Sequence, residues 1–154
     1  MKSLITYFSA SGVTKNAAQN LAKAINADLF EIEPVQKYTD ADLDWTDKTS
    51  RTTLEMADKS SRPQIKNKVQ NLQDYDSVVI GFPVWWYTAP TIINTFIEEN
   101  NLEGKNIYVF VTSGGSGAED SFNHLKAAYP KLKFIACKRL RGNENAQQLA
   151  EWIK

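Results

Sequence analysis

Residues 2–16 read KSLITYFSASGVTKN, and the rest of the chain is organised around them. Leu4 to Phe8 is an apolar run suited to a buried strand. It empties into the small-residue turn Ser9-Ala10-Ser11-Gly12, after which Val13, Thr14 and Lys15 open a helical pattern. Hydroxyls and unblocked backbone N–H groups at a helix N-terminus favour an anion, because the helix dipole and the orphan donors act together. The same residues would also serve as an ordinary N-cap. Both readings stay open on this stretch alone.

Strand and helix patterns alternate along the remaining sequence. Strands are expected at 3–8, 28–33, 76–82, 106–112 and 132–137. Val13, Ala17, Ala18, Leu21, Ala22 and Ile25 fall on one face of a helix over 13–26. Further helices are expected from near Pro90 through Ile97, over 119–128, and over 143–153 with Asn143 as its cap. The run DSVVIGF at 76–82 is apolar enough for a central strand buried on both faces. Such alternation predicts an α/β fold, a parallel sheet with helices on both sides. Residues 34–74 are the least regular part; a polar helix over 47–60 would be broken by Arg62-Pro63. A connection of this length is expected to be functional or partly helical.

Composition excludes several classes. Lysine and arginine number 18, aspartate and glutamate 18, so no basic excess invites nucleic acid. The single cysteine, Cys137, rules out an internal disulfide, and with one histidine, His124, an ordinary zinc site is out of reach. Cys137 is expected as a small core residue and His124 on the surface. Asp40, Asp42, Asp44 and Asp47 read as a solvated face rather than a metal site, and Trp45 either covers the site or pins the long connection. No signal-peptide pattern follows Met1-Lys2 and no apolar run approaches the ~20 residues of a membrane span. The expectation is a cytoplasmic protein of one domain over 1–154, with no membrane partner.

In an open doubly wound sheet, ligands sit outside the carboxyl ends of the strands, where strand order reverses. The loops that reach that edge are 9–14, 83–88 and 112–117, and they are the most unusual stretches of the chain. The first is rich in hydroxyls, the second carries Trp85-Trp86-Tyr87, and the third reads Thr112-Ser113-Gly114-Gly115-Ser116-Gly117. An anion cradle beside an aromatic wall and a close-approach glycine loop describes a site for a phosphorylated planar heterocycle. Rival chemistries fail at named positions. A Walker loop lacks its first glycine, and a dinucleotide fingerprint has only Gly12. A receiver domain would need acids where Phe8 and Pro83 stand, and a cysteine phosphatase would need its cysteine in the first loop.

On these residues the chain resembles the flavodoxins. Ser9-Ala10-Ser11-Gly12-Val13-Thr14 fits that family's Thr/Ser-x-Thr/Ser-Gly-x-Thr phosphate loop. Pro83-Val84-Trp85-Trp86 and Thr112 to Gly117 resemble the loops of a short flavodoxin-like branch. Tyr38, Arg51, Glu55 and Arg62-Pro63 reproduce that branch's pattern in the long connection. The resemblance implies a three-layer sandwich with a five-stranded parallel sheet of order 2-1-3-4-5, and FMN as the cofactor. Ser9, Ser11, Gly12, Val13 and Thr14 would hold the FMN phosphate through hydroxyls and backbone N–H groups. Pro83, Val84, Trp85 and Trp86 would run along the isoalloxazine, with one indole against the ring. Thr112, Ser113, Gly114, Gly115, Ser116 and Gly117 would approach its pyrimidine side. Aromatic burial with few cations would disfavour the anionic reduced flavin and lower its potential.

The function implied is an electron carrier that meets redox partner proteins, as a monomer or weak homodimer, with no catalytic residue or metal of its own. Two alternatives stand beside it. One is an NAD(P)H:quinone-type oxidoreductase of the same fold; the other is a non-catalytic domain binding a phosphate ligand or a partner. Well-studied carrier flavodoxins are strongly acidic, whereas this chain is neutral, which removes the steering that speeds association with basic partners.

Overall fold

A computed structural model describes residues 2–153. Its sheet is built from β1 (Ser3–Tyr7), β2 (Asp28–Glu31), β3 (Ser77–Pro83), β4 (Asn106–Thr112) and β5 (Lys133–Arg139). All neighbouring pairs run parallel, in the order β2-β1-β3-β4-β5. The helices are α1 (Val13–Ile25), α2 (Arg51–Ala57), α3 (Thr91–Glu99), α4 (Glu119–Ala128) and α5 (Ala146–Glu151). The chain has the flavodoxin-like α/β fold.

Alternation along the central strands divides the core into two layers. Ile5, Tyr7, Val79, Tyr108 and Phe110 pack with Ala17, Ala18, Leu21 and Leu149 of α1 and α5. Val78, Ile80, Phe82, Ile107, Val109 and Val111 pack with Ile92, Ile93 and Phe96 of α3 and Phe122 and Leu125 of α4. Burying each such aliphatic or aromatic side chain is worth about 1.5–3 kcal/mol, so β3 and β4 anchor the sheet. Gly81, in the middle of β3, pairs with Phe110. A Cβ on Gly81 would lie 2.0 Å from Phe110 Cζ, so the missing side chain is the space the phenyl ring occupies.

Several expected boundaries move, each for a local reason. The polar helix in the long connection is only Arg51–Ala57: the Ser50 side chain accepts from Thr53 N–H and fixes its start. Before it, Asp44 and Asp47 accept from the backbone of Thr46 and Thr49, so local turns win over helix. The closing helix begins after Asn145, not Asn143. Asn145 forms a capping box with Gln148, while Glu144 is spent on the backbone N–H groups of Arg141 and Gly142. β2 stops at Glu31, although Ile32 N–H still reaches the Tyr7 carbonyl at 2.7 Å. β5 runs two residues beyond Cys137 to Arg139, and Cys137 is half-buried against the α3/α4 layer, where burial pushes its thiol up. Pro83 is the last residue of β3 rather than a loop residue; lacking an N–H, it fits a strand end. Trp45 is 74% exposed.

Candidate functional site

The strand order reverses between β1 and β3, which places the three unusual loops together at one sheet edge. Thr112, at the end of β4, joins them. Its hydroxyl meets that of Thr14, in the first turn of α1 just after the first loop, at 2.7 Å, both side chains being buried. Its carbonyl accepts from Val84 N–H of the second loop at 3.0 Å. Its own chain then continues into the third.

The first loop ends in Gly12 at φ 95°, a left-handed conformation that glycine adopts without steric cost. Gly12 N–H donates to Ser9 Oγ at 3.0 Å, which leaves the Ser9 hydroxyl proton available. The first bond of α1 is Asn16 N–H to the Gly12 carbonyl, so the N–H groups of Val13, Thr14 and Lys15 precede the ladder. Among the described residues no side chain caps this helix, and its first turn carries no acid. The first turn of α4, by contrast, carries Glu119 and Asp120. Ser11 and Lys15 are exposed. Two members of the expected phosphate set are committed within the protein: the Thr14 hydroxyl to Thr112 and the Gly12 N–H to Ser9 Oγ.

The second loop splits its two indoles. Trp85 turns inward, edge-on to Phe8 at 5.6 Å and to Tyr38 at 5.4 Å between ring centroids. Trp86 and Tyr87 form the tip of a two-residue hairpin closed by paired Trp85–Thr88 backbone bonds of 3.0 Å. Both have positive φ, 49° and 63°, an uncommon conformation for aromatic residues, and both are exposed. Such strain persists only where surrounding structure holds it, and here it puts an indole and a phenol into solvent.

In the third loop, a Cβ built on Gly114 or Gly115 meets nothing within 4 Å, so the backbone lies open there. The Ser113 hydroxyl donates to the Ser116 carbonyl and shapes the turn. Behind it stands Arg139, whose Nη2 donates to the Ser113 carbonyl at 3.0 Å. Its Nε is buried without a partner among the described residues. Sequence reading misses Arg139, because the strand pattern fades at Cys137 and nothing local marks a cation two residues on.

The long connection supplies a fourth wall. Tyr38 hydroxyl donates to Glu55 at 2.6 Å, Arg51 Nε donates to the same carboxylate at 3.0 Å, and the Arg51 guanidinium lies 3.7 Å from the centre of the Tyr38 ring. Burial, then the Glu55 carboxylate, push the Tyr38 phenol far above its ordinary value. The trio holds Tyr38 against Phe8 and Trp85. Arg62, the last member of that pattern, works elsewhere: it makes two 3.0 Å bonds to Glu98 of α3. Those bonds hold the Glu98 carboxyl below its usual range. Tyr129 also donates to Glu98, and burial with that contact pushes its phenol to about 12.

Among the described residues no cluster of His, Cys, Asp or Glu is arranged to hold a metal ion, and no helix is long and apolar enough to cross a membrane. The edge offers N–H and hydroxyl donors on one side, aromatic surface on another and open glycine backbone on a third. These features define a protein of the flavodoxin class. The flavodoxin family model matches residues 2–154, and the chain belongs to that family.

Solved structures agree on the architecture. One from Bacteroides eggerthii is 46% identical, covers 99% of this chain and 95% of its own, and superposes with a TM-score of 0.96. A flavoprotein from Lactobacillus acidophilus, solved in complex with FMN, is 25% identical over 99% of both chains, with a TM-score of 0.79. Over 96 residues the chain is also 24% identical to YcaK, an uncharacterised NAD(P)H oxidoreductase of Escherichia coli. That match covers 61% of this chain and 44% of the relative, so this chain corresponds to less than half of it.

Proposed function

We propose that the chain binds FMN non-covalently at the β1/β3 edge and serves as a redox protein. The observation that carries this reading is the convergence at Thr112 of an uncapped helix N-terminus, an aromatic loop and an open glycine loop. The residues present fit the cofactor. Ser9, Ser11 and the N–H groups of Val13, Thr14 and Lys15 would hold its phosphate, the helix supplying positive potential without a basic side chain. Thr14 would act through its backbone, its hydroxyl bracing the turn. Pro83 to Trp86 and Thr112 to Gly117 would flank the ring. Trp85, already packed on Phe8 and Tyr38, would give a rigid wall, and Trp86 an exposed indole able to cover the ring. When bound, the flavin supplies one- and two-electron redox chemistry. The FMN complex of the Lactobacillus acidophilus relative supports the assignment.

Arg139 opposes the expected lowering of the potential. A guanidinium behind the Ser113 carbonyl sets a positive charge beside the loop that would face the pyrimidine ring, where reduction adds negative charge. This favours the reduced state relative to an uncharged wall.

An electron carrier that meets protein partners remains the primary reading. The YcaK match and the chain's neutral charge favour a second one, a reductase that takes hydride directly from a nicotinamide. The visible spectrum of the purified protein, followed by anaerobic mixing with NADPH or NADH, decides. A flavin spectrum bleached only when a separate reductase is added supports the carrier. Rapid bleaching by nicotinamide alone supports the reductase. A protein that takes up no FMN overturns both.

A further inference from the structure

Beneath the aromatic hairpin lies a cavity of about 570 Å³ that shares only Trp86 with the residues assigned to the cofactor. Its apolar walls include Met56, Trp86 and Ala127, and its polar rim includes Lys59, Arg62 and His124. The volume falls in the range of small-molecule sites, roughly 300–1,000 Å³.

The hydrogen-bond inventory of this rim is lopsided. Glu98 is the cavity's one carboxylate among the described residues, and its oxygens already accept from Arg62 twice and from Tyr129. The Arg62 charge is neutralised within that pair. Lys59 is different: among the described residues no carboxylate lies within ion-pair distance of it. His124 Nδ1 lies 2.9 Å from the Thr88 hydroxyl, which ties the imidazole to the hairpin at the cavity's rim. The cavity's carboxylate is already paired, while the Lys59 ammonium has no carboxylate partner among the described residues. Trp86, displayed by a strained turn, and Met56 add a polarisable wall suited to a flat ring.

We infer that this cavity is a binding site for a planar aromatic anion, of the class that sulfonated or carboxylated quinones represent. The ring lies against Trp86 and Met56, and the anionic group takes Lys59 and His124. Trp86 belongs both to this cavity and to the loop assigned to the flavin, so the ligand sits next to the proposed cofactor. The binding claim itself does not depend on that cofactor.

The test is a titration of the purified protein with naphthoquinone sulfonate, read by the Trp86 indole N–H signal in NMR spectra, which Trp86→Phe assigns by its loss. The expected result is saturable binding that Lys59→Glu weakens about 10-fold or more. Lys133→Glu, at the start of β5, should leave it unchanged, and an uncharged naphthoquinone should bind more weakly. Circular dichroism shows that each variant folds, and the visible spectrum shows whether flavin is present and retained. A protein that takes up no added FMN yet still binds the probe refutes the proposed function and leaves this site standing. No saturable binding, equal losses in the two lysine variants, or release of flavin by the probe overturns the inference.

Discussion

The Thr14–Thr112 contact is the joint between the first and third loops, and its energy can be worked out from its surroundings. The two oxygens are 2.7 Å apart, and the residues are 1% and 3% exposed. Thr14→Val keeps the shape of the side chain and strands the Thr112 hydroxyl away from water. An unpaired buried hydroxyl costs about 1–3 kcal/mol. At about 2 kcal/mol, a chain of this size should lose roughly 4–8 °C of Tm. Thr112→Val should cost a similar amount. The double variant leaves no orphaned group, so it should be nearly as stable as the wild type, giving a coupling energy of about 4 kcal/mol, the sum of the two single losses. Thr14→Ser should stay close to the wild type. Denaturant unfolding of the four proteins measures the cycle. If the two single losses simply add in the double variant, the hydroxyls are not paired and the loops are not joined there.

Gly81→Ala drives a methyl into Phe110 and should destabilise by about 1–3 kcal/mol or more, part of which Phe110→Leu should restore in calorimetry. Replacing Trp86-Tyr87 by Asn-Gly relieves two positive-φ aromatic residues and should raise stability by about 1–3 kcal/mol while weakening FMN, as denaturation and flavin titration will report. Arg62→Ala should let the Glu98 carboxyl titrate upward toward its ordinary range, visible in carbon NMR, at under ~1 kcal/mol of stability because the pair is largely exposed. A carboxyl held low contributes stability that is present above its ordinary range and lost as pH falls through its lowered value, so that small contribution should fade in acid. Tyr7 and Tyr129, pushed to about 12, carry the opposite sign: stability should fall as pH rises from about 10 toward 12, together with the ultraviolet phenolate signal.

The strands that hold the site were legible because their side chains answer to the sheet. Ser77 to Phe82 and Asn106 to Thr112 are apolar on both faces, and both faces are covered. The turn at Ser9 to Gly12 was legible as an anion site or cap, and only the fold could favour one. Loop chemistry also pointed to Trp85-Trp86, but not to their opposite fates. Two adjacent residues at positive φ cannot be read from composition, since the turn runs against the local preference of aromatic residues. Arg139 and the Glu98 network were invisible for another reason. Each acts across more than twenty residues of sequence, through contacts that no local pattern encodes. The capping errors at Asn143 and over 47–60 arose where Asp, Asn, Ser and Thr offered several competing backbone partners.

The account rests most heavily on the open N-terminus of α1 as the seat of a phosphate. Equilibrium titration of flavin-free protein with FMN and with riboflavin isolates that contribution, because the two ligands share the ring and differ in the phosphate. FMN should bind at one site about 100-fold more tightly than riboflavin, roughly 2.8 kcal/mol, and Ser11→Ala should narrow the gap by weakening FMN alone. Equal affinities for the two flavins, or equal losses for both in Ser11→Ala, would contradict it.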